Sequence, residues 1–223
     1  EHEMNISLFE VLGPVMIGPS SSHTAGAAKL ARVARIIAEH PFHRVTFGLY
    51  GSFAKTGVGH GTRQALLAGA MGFQEDDERI KNIEPLAAEA GMEYEFYDVE
   101  LDDAHENTAV ITFYRDDGEK TQVTGCSVGG GRIKITDIDG LAANIRAEAP
   151  TLLITQNDKP GVVGAVSGLL AEGGLNIAVM RVSRVAKGDI ANCVIETDGR
   201  IGDELVRRIR QLPNVRSVRA INI

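Results

Sequence analysis

The chain has no tryptophan, only two cysteines, and no apolar run near the ~18–20 residues that a membrane-spanning helix needs. Cys126 and Cys193 are too few for a disulfide framework, which suits a cytoplasmic protein. No positively charged stretch followed by an apolar one opens the sequence, so no secretory leader is expected. Glu1-His2-Glu3 precede Met4, and His2 is given no role. Positive charge is also short: Lys+Arg number 23 against 30 Asp+Glu, a net charge of −7. With 5% aromatics and no basic stripe between them, nucleic-acid binding is not indicated. What remains is an ordinary globular composition, 43% hydrophobic and 24% charged, in 223 residues. That length suits one large or two ordinary domains. Residues 1–150 carry −10 and residues 151–223 carry +3, which favours two.

Ile17-Gly18-Pro19-Ser20-Ser21-Ser22-His23-Thr24-Ala25-Gly26 is the most informative stretch. Gly18-Pro19 signals a turn. Ala27, Ala28, Leu30, Ala31, Val33, Ala34, Ile36 and Ile37 then repeat at helical spacing, predicting a helix over 24–39. The hydroxyl block therefore sits at a helix N-terminus, where free N–H groups and the dipole favour an anion. One serine or threonine would suffice as a cap. Five polar residues in a row exceed that need.

Val45, Phe47 and Leu49 alternate with Thr46, Gly48 and Tyr50, predicting a strand over 44–51. Helices are expected over 62–71 and within 76–90, the latter with Pro85 near its first turn or at a break. Strands follow over 94–99, 108–114, 120–126 and 132–138. Asp116-Asp117-Gly118 reads as a hairpin turn and Gly129-Gly130-Gly131 as another. Residues 141–150 read as a linker with some helical character. The remainder has a βαββαβ order, with strands over 152–156, 176–185, 190–197 and 215–221 and helices over 162–172 and 203–212. That is the ferredoxin-like pattern.

Other histidines lie in less specific settings. His60, between glycines in Gly59-His60-Gly61-Thr62, suits an acid–base or substrate-binding group, or a turn histidine bonded to a local carbonyl. His105 and Asn107 precede a strand and could orient a carboxylate, or simply form a polar strand entry. His40 and His43 read as solvated. Cys126 and Cys193 read as small buried strand residues.

Gly18-Pro19-Ser20-Ser21-Ser22-His23-Thr24-Ala25-Gly26 resembles the signature of the β subunit, or β domain, of bacterial iron–sulfur-dependent L-serine dehydratases. Tyr50-Gly51-Ser52-Phe53, Gly59 to Thr62, His105-Glu106-Asn107-Thr108 and Ser127 to Gly131 fit the same family, in order. Asn157 to Gly161, with Gly174-Leu175-Asn176-Ile177, resembles the ACT domain, a small regulatory module. The resemblance implies an α+β serine dehydratase β domain over 1–148, of allosteric-substrate-binding type, and a ferredoxin-like ACT domain over 149–223. It implies conversion of L-serine to pyruvate and ammonia. His23, His60 and His105 become the catalytic candidates. Ser20, Ser21, Ser22, Thr24, Thr62 and Asn107 become donors for the substrate. Gly129, Gly130 and Gly131 form a loop facing a partner, and Asp158, Gly161 and Asn176 an ACT ligand loop.

A [4Fe–4S] cluster normally takes cysteine thiolates, and two are too few. The resemblance therefore places the cluster on a separate α subunit, with no metal in this chain. Convergence of His23, His60 and His105 on zinc is the metalloenzyme alternative. ACT-like modules commonly pair, and the apolar helix Val162, Val163, Ala165, Val166, Leu169, Leu170 points to a homodimer. The second reading is a regulatory subunit binding an effector anion. It follows from a likeness to the domain beside ACT modules in some D-3-phosphoglycerate dehydrogenases. Lys29 and Arg63 are the only cations close to the motifs, which favours chemistry over anion capture.

Overall fold

A computed structural model describes residues 23–56, 61–184 and 186–223. The opening helix is α1 (Ala25–Ala38), with Ala27, Ala28, Leu30, Ala31, Val33, Ala34 and Ile37 all fully buried. Its small side chains let it lie close between a sheet and a second helix. It stops at Glu39, held at φ 62, before Pro41. Strand β1 (Phe42–Leu49) leads into a short helix α2 (Ser52–Thr56), then α3 (Thr62–Ala70). The single helix expected within 76–90 is instead a 3-10 turn over Glu78–Asn82 followed by α4 (Ile83–Glu89). The Asp77 carboxylate accepts from the Arg79 N–H at the start of that turn. Pro85 sits in the first turn of α4, where a missing N–H costs nothing.

Strands β2 (Glu93–Asp98), β3 (Thr108–Arg115), β4 (Lys120–Gly129), β5 (Arg132–Ile138) and β6 (Leu141–Ile145) complete a six-stranded sheet in the order β2-β1-β3-β4-β5-β6. Only β1 and β2 run parallel, joined by the helical crossover. The stretch read as a linker over 141–150 begins with β6, which pairs back onto β5, Ile138 opposite Leu141 and Ile135 opposite Ile145. Asp139 and Gly140, both at positive φ, make the turn between them.

Strands β7 (Thr151–Asn157), β8 (Ile177–Arg184), β9 (Ile190–Thr197) and β10 (Val215–Ile221) form a second, antiparallel sheet in the order β10-β7-β9-β8. Helices α5 (Val162–Glu172) and α6 (Asp203–Arg210) cover one face. Leu152, Ile154, Cys193, Ile195 and Val218 meet Val162, Val166, Leu170 and Ile209 there. This is the ferredoxin-like arrangement that the order of elements predicts. On the opposite face Leu153, Val194 and Ile221 join the core of the first sheet and α1. Arg210 donates to Glu39 at 2.6 Å, and Arg219 lies 3.7 Å from the same carboxylate.

Candidate active site

The C-terminal end of β1, the start of β3, the end of β4 and the start of α1 meet at one end of the six-stranded sheet. Gly51, at φ 60, makes the turn after β1; a β-carbon there would stand 2.6 Å from the Glu106 carbonyl oxygen. Only glycine fits this turn, so α2 can dock on the 105–107 loop. The backbone N–H of Ser52 donates to that carbonyl at 2.7 Å, and Tyr50 N–H donates to Thr108.

Ser52 and Thr56, four apart on α2, present their hydroxyls on one side. His23 Nε2 lies 3.0 Å from Ser52 Oγ and 3.1 Å from Thr56 Oγ1. The Thr56 hydroxyl gives its only hydrogen to the Ser52 carbonyl at 2.6 Å. Its oxygen can then only accept from the imidazole, so His23 carries its proton on Nε2. Buried Phe53 meets the same ring edge-on, with centroids 5.5 Å apart. The imidazole is thus fixed in position and in tautomer.

His105 Nδ1 accepts from the Asn107 backbone N–H at 3.1 Å, which puts the proton of the neutral ring on Nε2. Its imidazole is exposed and borders a cleft of about 530 Å³ on the outer face of the sheet. Cys126 and Lys134 line the same cleft. Burial pushes the Cys126 thiol up, and the Lys134 ammonium partly opposes that. His105 therefore shares a loop with Asn107 but opens onto a different surface from His23.

Gly61, at φ 73, opens α3 close against Thr24: a β-carbon on it would lie 3.6 Å from Thr24 Cγ2. Thr62 follows, fully buried, its hydroxyl without a hydrogen-bond partner among the described residues. Across the sheet, Ser127 N–H donates to the Asn107 carbonyl at 3.0 Å, which sets these two residues opposite one another. Among the described residues, the Asn107 amide oxygen and the Ser127 hydroxyl are also buried with no hydrogen-bond partner. Gly129, Gly130 and Gly131, all at positive φ, make the β4–β5 turn just beyond. Lys29 is half-buried, and burial holds its ammonium below the usual lysine range.

Of the residues expected from the sequence, His23, Thr24, Thr62, Asn107 and the Gly129–Gly131 turn gather at this end of the sheet. Ser20, Ser21, Ser22 and His60 lie outside the described residues. Ser52, Thr56 and Ser127 belong to the site as well. Ser52 and Ser127 lie within stretches that fit the family but are given no role there, and Thr56 is signalled only by its spacing of four from Ser52. Among the described residues, no group of three or more His, Cys, Asp or Glu side chains is placed to hold a metal ion.

In the second sheet, the Asp158 carboxylate accepts from the Gly188 N–H at 3.0 Å and from Arg184 at 2.6 Å. These hold its carboxyl below the usual range, the backbone donor more than the arginine. Asn176 donates to Asp198 at 2.8 Å, and Gly161, at φ 92, begins α5. Both polar groups of the expected ligand loop are engaged within the chain.

The family model described as "Serine dehydratase beta chain" matches residues 7–137. The chain belongs to that family. A second model, the ACT domain, matches residues 151–214 of this beta chain. It is 41% identical over 215 residues to the "Probable L-serine dehydratase, beta chain" of Bacillus subtilis, covering 96% of this chain and 97% of that one. It is 42% identical over 200 residues to the "L-serine dehydratase, beta chain" of Peptoniphilus asaccharolyticus, covering 89% and 90%. A D-3-phosphoglycerate dehydrogenase of Methanocaldococcus jannaschii is 28% identical over 107 residues, 48% of this beta chain and 20% of that enzyme. No described helix is long and apolar enough to cross a membrane.

Proposed function

We propose that this chain supplies one half of a composite L-serine dehydratase site, completed by an α subunit. The observation that carries the reading is the group of neutral donors and acceptors at one end of the first sheet, built around His23. Dehydration of L-serine requires a base for the Cα proton and stabilisation of the charge that develops beside the carboxylate. Thr62 and the start of α1 offer neutral donors to a carboxylate. His23, held through its Nε2–H by Ser52 and Thr56, is the candidate base. His60 is the alternative base; the imidazole of His105, which borders the cleft on the outer face, lies apart from this group.

Departure of the β-hydroxyl needs a Lewis acid. The residues of this chain do not fit a four-iron cluster: Cys126 and Cys193 lie buried on separate sheets. We therefore assign the [4Fe–4S] cluster to the α subunit. The isolated chain is expected to form no pyruvate from L-serine, and the anaerobic mixture with its α subunit to form it. Pyruvate from this chain alone would overturn the composite site, and none from the mixture would overturn the reading.

Homodimerisation through the second sheet forms part of the same proposal. Strand β8 is an edge strand, and Val182 on it and Val163 on α5 stay exposed. Sedimentation of the full chain tests it. A dimer converted to monomer by Val182→Asp is the expected result, and a monomeric wild type refutes it.

A further inference from the structure

Ser127 takes no part in the chemistry described above, yet its hydroxyl is as enclosed as that of Thr62. Its side chain is fully buried on β4, on the same face as Val123 and Gly125. A β-carbon at Gly125 would meet Leu30 of α1 at 2.7 Å, so this face is the one under α1. Among the described residues, neither the Ser127 hydroxyl nor the amide oxygen of Asn107, its cross-strand neighbour, has a hydrogen-bond partner. Buried polar groups are nearly always bonded, and leaving them unbonded is costly. Two buried orphans on cross-strand neighbours beside a chemical site mark a place kept for a third group.

The chemistry of that group follows from what the pair can do. An amide oxygen only accepts, and a serine hydroxyl can accept as well as donate. A carboxylate, itself only an acceptor, gains no hydrogen bond from the Asn107 oxygen as the amide is oriented here. An ammonium group carries donors alone and matches both. The hydroxyl of Thr62 and the N–H groups at the start of α1 suit the opposite end of an α-amino acid. His23 is tied to the same loop: Ser52, which touches its ring, is bonded through its backbone to Glu106, the neighbour of Asn107.

We infer that Ser127, together with Asn107, receives the α-ammonium group of the amino-acid substrate. The inference rests on the dehydratase reading, which wild-type turnover in the α–β complex checks independently. With turnover established, Ser127→Ala in the complex is expected to raise KM for L-serine about tenfold or more, as loss of a hydrogen bond to a charged group does. Two competitive inhibitors separate the ends of the ligand. L-Alanine keeps both ammonium and carboxylate, and its inhibition constant should rise in parallel with KM. 3-Hydroxypropionate lacks the ammonium, and its constant should stay within about twofold. Equal losses for both inhibitors would overturn the assignment, as would an unchanged KM. A structural readout guards against simple misfolding. Because the hydroxyl has no partner among the described residues, the isolated Ser127→Ala chain should melt no lower than wild type. A clear fall in melting temperature would show that the hydroxyl serves the fold, and would refute the inference. Ser127→Thr keeps the acceptor and should recover part of the affinity for L-alanine.

Discussion

Replacing Gly69 by alanine should strike both the fold and the site through a single methyl group. Gly69 lies in α3 where it crosses α1. A β-carbon there would stand 2.1 Å from the Ala28 carbonyl oxygen and 2.9 Å from the Ala31 β-carbon. Ordinary contact begins near 3.4 Å, so the helices must part locally by about 1.3 Å. The nearest obstacle is backbone, which no rotamer change relieves. Overpacking of this kind costs ~1–3 kcal/mol or more, while alanine's helix preference returns ~1 kcal/mol. Because the obstacle is backbone, the cost lies at the top of that range, and a net loss of about 2 kcal/mol is expected, or a melting temperature lower by ~4–8 °C for a chain of this length. The first turn of α3 carries Thr62 beside Thr24, so turnover with the α subunit should fall as well. Thermal unfolding by circular dichroism reads the first effect and pyruvate formation the second. Adding Ala31→Gly removes only the 2.9 Å contact and should not restore the melting temperature. An unchanged or raised melting temperature for Gly69→Ala would refute the close approach of α1 and α3.

Three further expectations are simpler. Ser52→Ala removes one of two acceptors from His23 Nε2 and should lower kcat of the complex more than it raises KM; a change in KM alone would show that His23 binds rather than reacts. Asp158, held below the usual carboxylate range by Gly188 and Arg184, ties the β8–β9 turn to β7. A depressed pKa gives stability that is present above the unfolded value and lost as pH falls through the folded one. Exchange of the Gly188 amide should therefore quicken in acid relative to neighbouring amides, and Asp158→Asn should remove that dependence. Burial pushes the Cys193 thiol up to about 11, so it should resist a thiol reagent at pH 8 until the chain is unfolded. Rapid labelling in the native state would place it at the surface.

The sequence made α1 legible because apolar side chains at helical spacing have one physical solution. The second sheet was equally plain, since glycine turns bracket each apolar run. Strand β6 was not. Ala142, Ala143 and Asn144 are poor strand formers, and only pairing to β5 makes them extended. The break between the 3-10 turn and α4 was half visible in Pro85. At the site, His23, Thr24, Thr62 and Asn107, drawn from separate motifs, fall at one end of the sheet. The contact of His23 with Ser52 and Thr56 spans 29 and 33 residues and is created by the docking of α2 on the 105–107 loop. Local pattern cannot express such a contact. Nor could it show that the imidazole of His105 opens onto the outer face.

The shared core between the two sheets bears on how the protein comes apart. Leu153, Val194 and Ile221 look away from their own helices and into the neighbouring unit. Cutting the chain near Pro150 would expose these side chains together with Arg219, whose guanidinium burial already disfavours as a charge. The C-terminal unit is therefore not a transferable cassette in this protein. Grafted elsewhere, it would need polar residues at those three positions. Left in place, it should unfold with its neighbour in one cooperative calorimetric transition, despite having a sheet and a helical layer of its own.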